Sequence, residues 1–162
     1  MGRDAFITSV AMQNPQQNYI GMDFREEMVY EGIALLKGRE PQNLRFLWQL
    51  AEILPNCFAP GEINRIHLNF PDPWPKKKHA KRRLMHDRFL NIYEQILAKN
   101  GDLWLKTDQK DLYEFALATF IENNWPIICA TENLHSENWG NIETEYEKRY
   151  VKQGKPIYAC RV

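Results

Sequence analysis

Apolar positions along the chain switch repeatedly between a period near 3.6 residues and a period of two. Phe6, Ile7, Val10 and Ala11 fall on one helical face over residues 4–14, and Pro15 stops that helix. Residues 18–23, NYIGMD, read as a short apolar strand ending in a carboxylate. Residues 26–37 predict a second helix, with Gly38 as its C-cap. Strands follow at 43–49 and at 65–70, where Ile66, Leu68 and Phe70 alternate with His67 and Asn69. Residues 85–99 predict a long helix with Phe89, Ile92, Tyr93, Ile96 and Leu97 on one face, ended by Asn100-Gly101. A strand at 102–106 comes next. A helix at 110–123 turns Leu112, Tyr113, Ala116, Leu117, Phe120 and Ile121 inward, and strands at 126–131 and 157–162 complete the pattern.

This alternation, with no repeat, low-complexity stretch or linker, predicts one α/β domain over residues 1–162. Its 162 residues and 19.2 kDa suffice for a substantial core. Hydrophobic residues at 44% and charged residues at 26% are ordinary for a soluble globular chain and argue against disorder. No apolar run is long enough to span a membrane, and the N-terminus lacks the pattern of a secretory signal. Cys57, Cys129 and Cys160 are odd in number and widely spaced, which predicts reduced thiols and a cytoplasmic setting. His67, His79, His86 and His135 do not stand at zinc-ligand spacing with any cysteine, so no metal is expected.

Charge changes the picture only when its distribution is read. The formal net charge is zero, from 21 cationic and 21 acidic residues. Lys76, Lys77, Lys78, Lys81, Arg82 and Arg83 crowd into eight positions without an acid, leaving 15 cations against 21 acids elsewhere. An acidic body therefore carries one concentrated basic segment. Clustered Lys and Arg displace counterions from a polyanion, so RNA or DNA contact is the favoured reading. A solvated loop or a nuclear-localisation peptide would look similar, although a localisation peptide belongs in a flexible tail. Here the run lies between a strand and a helix.

In α/β sheets ligands bind beyond the carboxyl ends of the strands. Asp23, Asp72 and the Lys106-Thr107-Asp108 triplet all stand at predicted strand ends. Asp72 lies within Phe70-Pro71-Asp72-Pro73-Trp74-Pro75, where each proline fixes its own φ and pushes its predecessor toward extended geometry. Phe70, Asp72 and Trp74 are thus expected in β or polyproline conformation. That would give a stiff arm holding Asp72 out, with Trp74 offering a flat face.

The string NFPDPWPKKKHAKRR at residues 69–83 resembles the tRNA (guanine-N7)-methyltransferase family of class I, S-adenosylmethionine-dependent enzymes. KTD at 106–108, TEYE at 144–147, residues 14–23 and FAPGEINRIHLNF also resemble that family, over essentially the whole chain. The resemblance implies a Rossmann-like sheet with helices on both faces, S-adenosylmethionine as cofactor, and methyl transfer to guanine N7 in the variable loop of tRNA. Position by position it implies Gly2, Asp23, Leu50, Ala51 and Asp72 at the cofactor, with Asp72 catalytic. Lys76, Asp108, Thr144, Glu145, Tyr146 and Glu147 would meet substrate, and Lys78, His79, Ala80, Lys81, Arg82 and Arg83 would meet RNA.

The chain also departs from the family pattern. Its start aligns inside the glycine-rich cofactor turn, with Gly2 at the middle glycine, Asp4 at the last, and the first strand apparently missing. Loss of that central strand, between 18–23 and 65–70, predicts either a gap in the sheet or a rearranged pairing. Leu50 stands where an acid usually faces the adenine, with Glu52 as a nearby substitute. The alternative to an active enzyme is a catalytically impaired methyltransferase-like protein that retains RNA binding.

Overall fold

The structure, a computed structural model, describes residues 6–36, 38 and 41–162. Gly2 and Asp4 lie outside those residues. In chain order the elements are α1 (Phe6–Gln13), β1 (Tyr19–Asp23), α2 (Glu26–Ala34), β2 (Leu44–Trp48), α3 (Leu54–Cys57) and β3 (Ile63–Asn69). They continue with α4 (Asp87–Ile96), β4 (Leu97–Thr107), α5 (Lys110–Glu122), β5 (Cys129–Thr131), α6 (Glu145–Lys152) and β6 (Tyr158–Arg161). The basic run forms a 3-10 helix, Lys77–Arg82. No helix among the described residues is long and apolar enough to cross a membrane.

The chain divides into two compact units. The first comprises residues 1–51 and 140–153. Its β1 and β2 run parallel, from Tyr19 opposite Leu44 to Asp23 opposite Trp48. Buried Ala11, Leu36 and Leu44 pack with Ile7, Tyr19 and Phe46 behind them. Asn43 ties the entry of β2 to the end of α1. Its side-chain amide nitrogen lies 2.7–3.0 Å from the carbonyls of Ala11, in the last turn of α1, and of Asn14 and Gln17 in the turn that follows, sharing its two N–H groups among them. Acidic Glu26 and Glu27 occupy the first turn of α2, where the helix dipole favours negative charge.

The second unit comprises residues 52–139 and 154–162. Its sheet has the order β3-β4-β6-β5, with β3 and β4 parallel and β6 antiparallel to both its neighbours. The ladders of the described residues thus form two sheets, a break of the kind expected between the 18–23 and 65–70 strands. Leu68, Leu103 and Leu105 are buried on one face of this sheet, and α5 contacts β4 and β6. In α4, Phe89, Tyr93 and Ile96 are buried, as their spacing predicts. Ile121 is not inward: it is 65% exposed, one position round the helix from fully buried Phe120.

The predicted helix to residue 99 stops at Ile96, and the strand begins at once. Pairing jumps from Ile63–Leu97 to Arg65–Asp102, so extra β4 residues bulge out of the ladder. Gly101 fits a tight space in that bulge, where any larger residue would have to push its neighbours aside. A Cβ there would lie 3.0 Å from the Ala98 carbonyl and 3.1 Å from that of Asn64.

The opposite face of the sheet carries charge. Asp102 accepts from Arg65 Nε at 2.6 Å and Nη2 at 2.9 Å, and Arg161 Nη2 lies 2.7 Å from its second oxygen. Both guanidiniums also stack against Trp104, at 5.1 and 5.4 Å from its ring. Burial alone would raise the Asp102 carboxyl, but hydrogen bonding and charge from Arg65, with Arg161, hold it below its ordinary 3.8. Asp102→Asn is expected to cost about 2 kcal/mol in urea unfolding at neutral pH, the scale of hydrogen bonds to charged groups. Because the folded carboxyl titrates below the unfolded one, the stabilisation is complete above the unfolded value. It disappears as pH falls through the folded value, so wild type and variant should converge in acid.

Candidate active site

In the first unit, the carboxyl ends of the two parallel strands make one side of a binding surface. Asp23 closes β1 with its carboxylate buried, and one oxygen accepts from the Arg25 backbone N–H at 3.0 Å and Arg25 Nε at 3.3 Å. Burial pushes this carboxyl upward, yet the Arg25 hydrogen bonds leave it below its ordinary value. It is a strong acceptor for hydroxyl protons. Beside it opens a cleft of ≈ 240 Å³ lined by Phe24, Trp48, Gln49 and Leu50. The Trp48 indole N–H donates to the Phe24 carbonyl at 3.0 Å, which holds its ring in this wall.

Aromatic and aliphatic side chains mixed with polar groups, next to a carboxylate at strand ends, suit a nucleoside: the base packs and the ribose hydroxyls donate. The residues present therefore fit an adenosyl group. Leu50 lines the cleft through packing alone, and Ala51 is buried at the start of a short 3-10 turn. Glu52, the anticipated stand-in for an acid at position 50, is instead engaged by Arg88.

The TEYE segment opens α6 in the same unit. Thr144 Oγ accepts from the Glu147 backbone N–H at 2.9 Å, and Glu147 Oε2 accepts from the Thr144 N–H at 3.2 Å. This is a capping box, and both side chains are fully buried. Asn141 adds an amide donor to the other Glu147 oxygen. Glu145 pairs with Lys148 at the surface, and Tyr146 stacks on Tyr150 with ring centroids 4.7 Å apart. The T-x-x-E spacing is itself a helix-cap signal in the sequence.

In the second unit, β3 and β4 end side by side, with Asn69 opposite Lys106 and the Phe70 N–H donating to the Lys106 carbonyl at 2.8 Å. Lys106 and Thr107 are buried, and Asp108 is half-buried just beyond them. Asn69 Oδ1 is buried without a hydrogen-bond partner among the described residues. Its alternation with Leu68 predicted a facing but not an orphaned acceptor.

From here the proline arm departs from the sequence expectation. Phe70 has φ +51° and Trp74 φ +41°, so both residues adopt left-handed geometry rather than β or polyproline. Left-handed backbone at a bulky residue costs about 1–3 kcal/mol, so tertiary contacts must hold it. Asp72 stands exposed between these two turns.

The contacts come from the basic run. A 3-10 helix has three residues per turn, so residues three apart share a side. Lys78 and Lys81 form one row, and both are exposed. His79 and Arg82 form a second row against Trp74: the His79 ring meets it edge-on at 5.8 Å, and the Arg82 guanidinium lies 4.8 Å from its centroid. The third row is Lys77, Ala80 and Arg83, of which Lys77 is exposed and Arg83 half-buried. The Arg83 N–H donates to the Ala80 carbonyl, Nε to Pro73 O and Nη2 to Trp74 O, both at 3.1 Å. Trp74 is thus packed beneath the run. Lys76 is exposed at the head of the helix, where its carbonyl accepts from the His79 N–H. Among the described residues no cluster of His, Cys, Asp or Glu could hold a metal.

Residues 1–160 match the family described as "Putative methyltransferase". Over 162 residues the chain is 41% identical to the tRNA (guanine-N(7)-)-methyltransferase of Bacillus subtilis (strain 168), spanning 99% of this chain and 76% of that protein. The chain belongs to the tRNA (guanine-N7)-methyltransferase family. Another relative of the same name, from Lachnoclostridium phytofermentans, is 44% identical over 160 residues, spanning 98% of this chain and 75% of that one. Among solved structures, an antibiotic-related methyltransferase superposes with a TM-score of 0.71 at 16% identity, covering 99% of this chain and 83% of its own. A SAM dependent methyltransferase from Aquifex aeolicus gives 0.63 at 9%, covering 97% and 77%. At such identities the likeness establishes the methyltransferase fold. Within the family, the capping box has a measurable consequence: Thr144→Ala should lower thermal stability by about 1 kcal/mol through loss of the α6 cap.

Proposed function

We propose that this chain transfers a methyl group to N7 of a guanine in the variable loop of tRNA, in the cytoplasm. The observation that carries this reading is the arm after β3. It presents Asp72 to solvent, and the exposed cations Lys76, Lys77, Lys78 and Lys81 follow it directly.

S-adenosylmethionine, when bound, supplies a methyl carbon made electrophilic by its sulfonium. On the first unit, Asp23 accepts from the ribose hydroxyls and the Phe24–Trp48–Leu50 cleft packs the adenine. Guanine N7 carries its own in-plane lone pair, so with the cofactor bound it would take the methyl group as the carbon–sulfur bond breaks and its electron pair stays on sulfur. No proton has to leave, so no strong base is required. The positive charge moves onto the guanine ring, and a fixed carboxylate near that ring favours the transition state. Asp72 fills that part on the second unit, positioning the base by accepting from its N–H groups. Lys76 and Asp108 contact the substrate beside it. Lys78 and Lys81, both exposed and without an aromatic or carbonyl contact like those of Arg82 and Arg83, grip the phosphate backbone.

Two experiments test this reading. Asp72→Asn should lower methylation of unmodified tRNA about a hundredfold at saturating substrates, and full retained turnover would remove Asp72 from the chemistry. Replacing Lys78 and Lys81 together with alanine should weaken tRNA binding. It should also flatten the slope of log affinity against log salt by about 1.4 to 1.8, measured by filter binding. An unchanged slope would place the row outside the interface.

A further inference from the structure

Arg83 is the end of the basic run by sequence, and counting charges assigns it to RNA. Its guanidinium is committed elsewhere. Two of its nitrogens donate to the successive carbonyls of Pro73 and Trp74, each at 3.1 Å. In an extended segment successive carbonyls point to opposite sides, so one guanidinium could not collect both. The left-handed φ of +41° at Trp74 brings them together. From the other side the same guanidinium lies 4.4 Å from the centroid of Phe115, in the middle of α5. A planar fork with an apolar stacking face is what this seat requires, and lysine supplies neither feature.

We infer that Arg83 is a positioning residue. It braces the Asp72-bearing arm against α5 and holds the left-handed turn at Trp74, and it is not part of the RNA contact. This rests on the methyl-transfer reading for its catalytic consequence, though the brace itself does not. Asp72 lies between two strained turns, and the brace lies at the downstream one. The residues that grip RNA and the residue that fixes the arm share one short helix of Lys77–Arg82 and its C-cap, Arg83. Binding and alignment are therefore built on the same short helix but carried by different side chains of it.

The test separates the two roles. Arg83→Lys keeps the charge and loses the fork. It should leave tRNA affinity and its salt slope within about twofold while lowering turnover at saturating tRNA about ten- to hundredfold, the scale of small misplacements at a reacting centre. Phe115→Leu, which leaves Arg83 and every other cation in place, should lower turnover in the same direction with binding unchanged. Lys78→Ala should show the opposite split, with its main effect on tRNA affinity. Hydrogen–deuterium exchange of the 69–76 segment supplies a readout free of activity, and both Arg83→Lys and Phe115→Leu should exchange faster there than wild type. Loss of tRNA affinity in Arg83→Lys with normal turnover and unchanged exchange would return Arg83 to the RNA interface and overturn the inference. A wild-type chain that fails to methylate tRNA would count against the methyl-transfer reading, while the exchange comparison would still decide whether Arg83 braces the arm.

Discussion

The hydrogen bond from the Phe70 N–H to the Lys106 carbonyl is the last rung between β3 and β4, and the geometry of the second unit's site follows from it. Up to that rung the chain is a regular parallel strand. Immediately after it, φ at Phe70 turns positive and the proline arm begins. The rung stands where it does because the register is fixed upstream. Leu68, Leu103 and Leu105 require one face of the sheet to be buried, while Arg65 and Asp102 pair directly across the other. A slip of one residue would turn both sets the wrong way. Asp72 is thus placed by a core several residues away from it.

The basic run shows why a count of charges describes a protein poorly. Six cations in eight positions invite a single role, but the three-residue period of the 3-10 helix divides them. Lys78 and Lys81 face solvent, while Arg82 covers Trp74 and Arg83 straddles the arm. Arginine and lysine are distributed accordingly. The compact, strongly hydrated ammoniums stay in water, and the planar guanidiniums take carbonyls and aromatic faces. The zero net charge and the local clustering are both accurate, and neither reveals this division.

TEYE carries a similar lesson. Its Thr144 and Glu147 close a capping box, with their polar atoms satisfied inside the helix entrance. Glu145 and Tyr146 are left at the surface, where one is paired to Lys148 and the other stacked on Tyr150. A short string can resemble a family's substrate segment and also be the local device that starts a helix. The first unit adds the case of Leu50, where an apolar side chain completes a cleft with Phe24 and Trp48 without any hydrogen bond.

Much of the fold was legible along the chain because apolar periodicity is local. The buried face of α4, the Leu112–Phe120 face of α5 and the strand ending at Asp23 lie where their patterns put them, while β3 and β4 overlap their predicted spans with different bounds. The motifs were legible too, since residues 69–83 are specific enough to point to one family. Local preference failed where non-local contacts were stronger. Each proline disfavours a left-handed predecessor, yet Phe70 and Trp74 adopt that geometry because Arg83, Phe115 and the β4 rung, distant in sequence, hold the arm. Ile121 satisfies the helical spacing but meets solvent, while its neighbour Phe120 is fully buried. Residue types determined which chemistry the chain can present. Only tertiary packing decided which of those residues are free to perform it and which are spent holding the others in place.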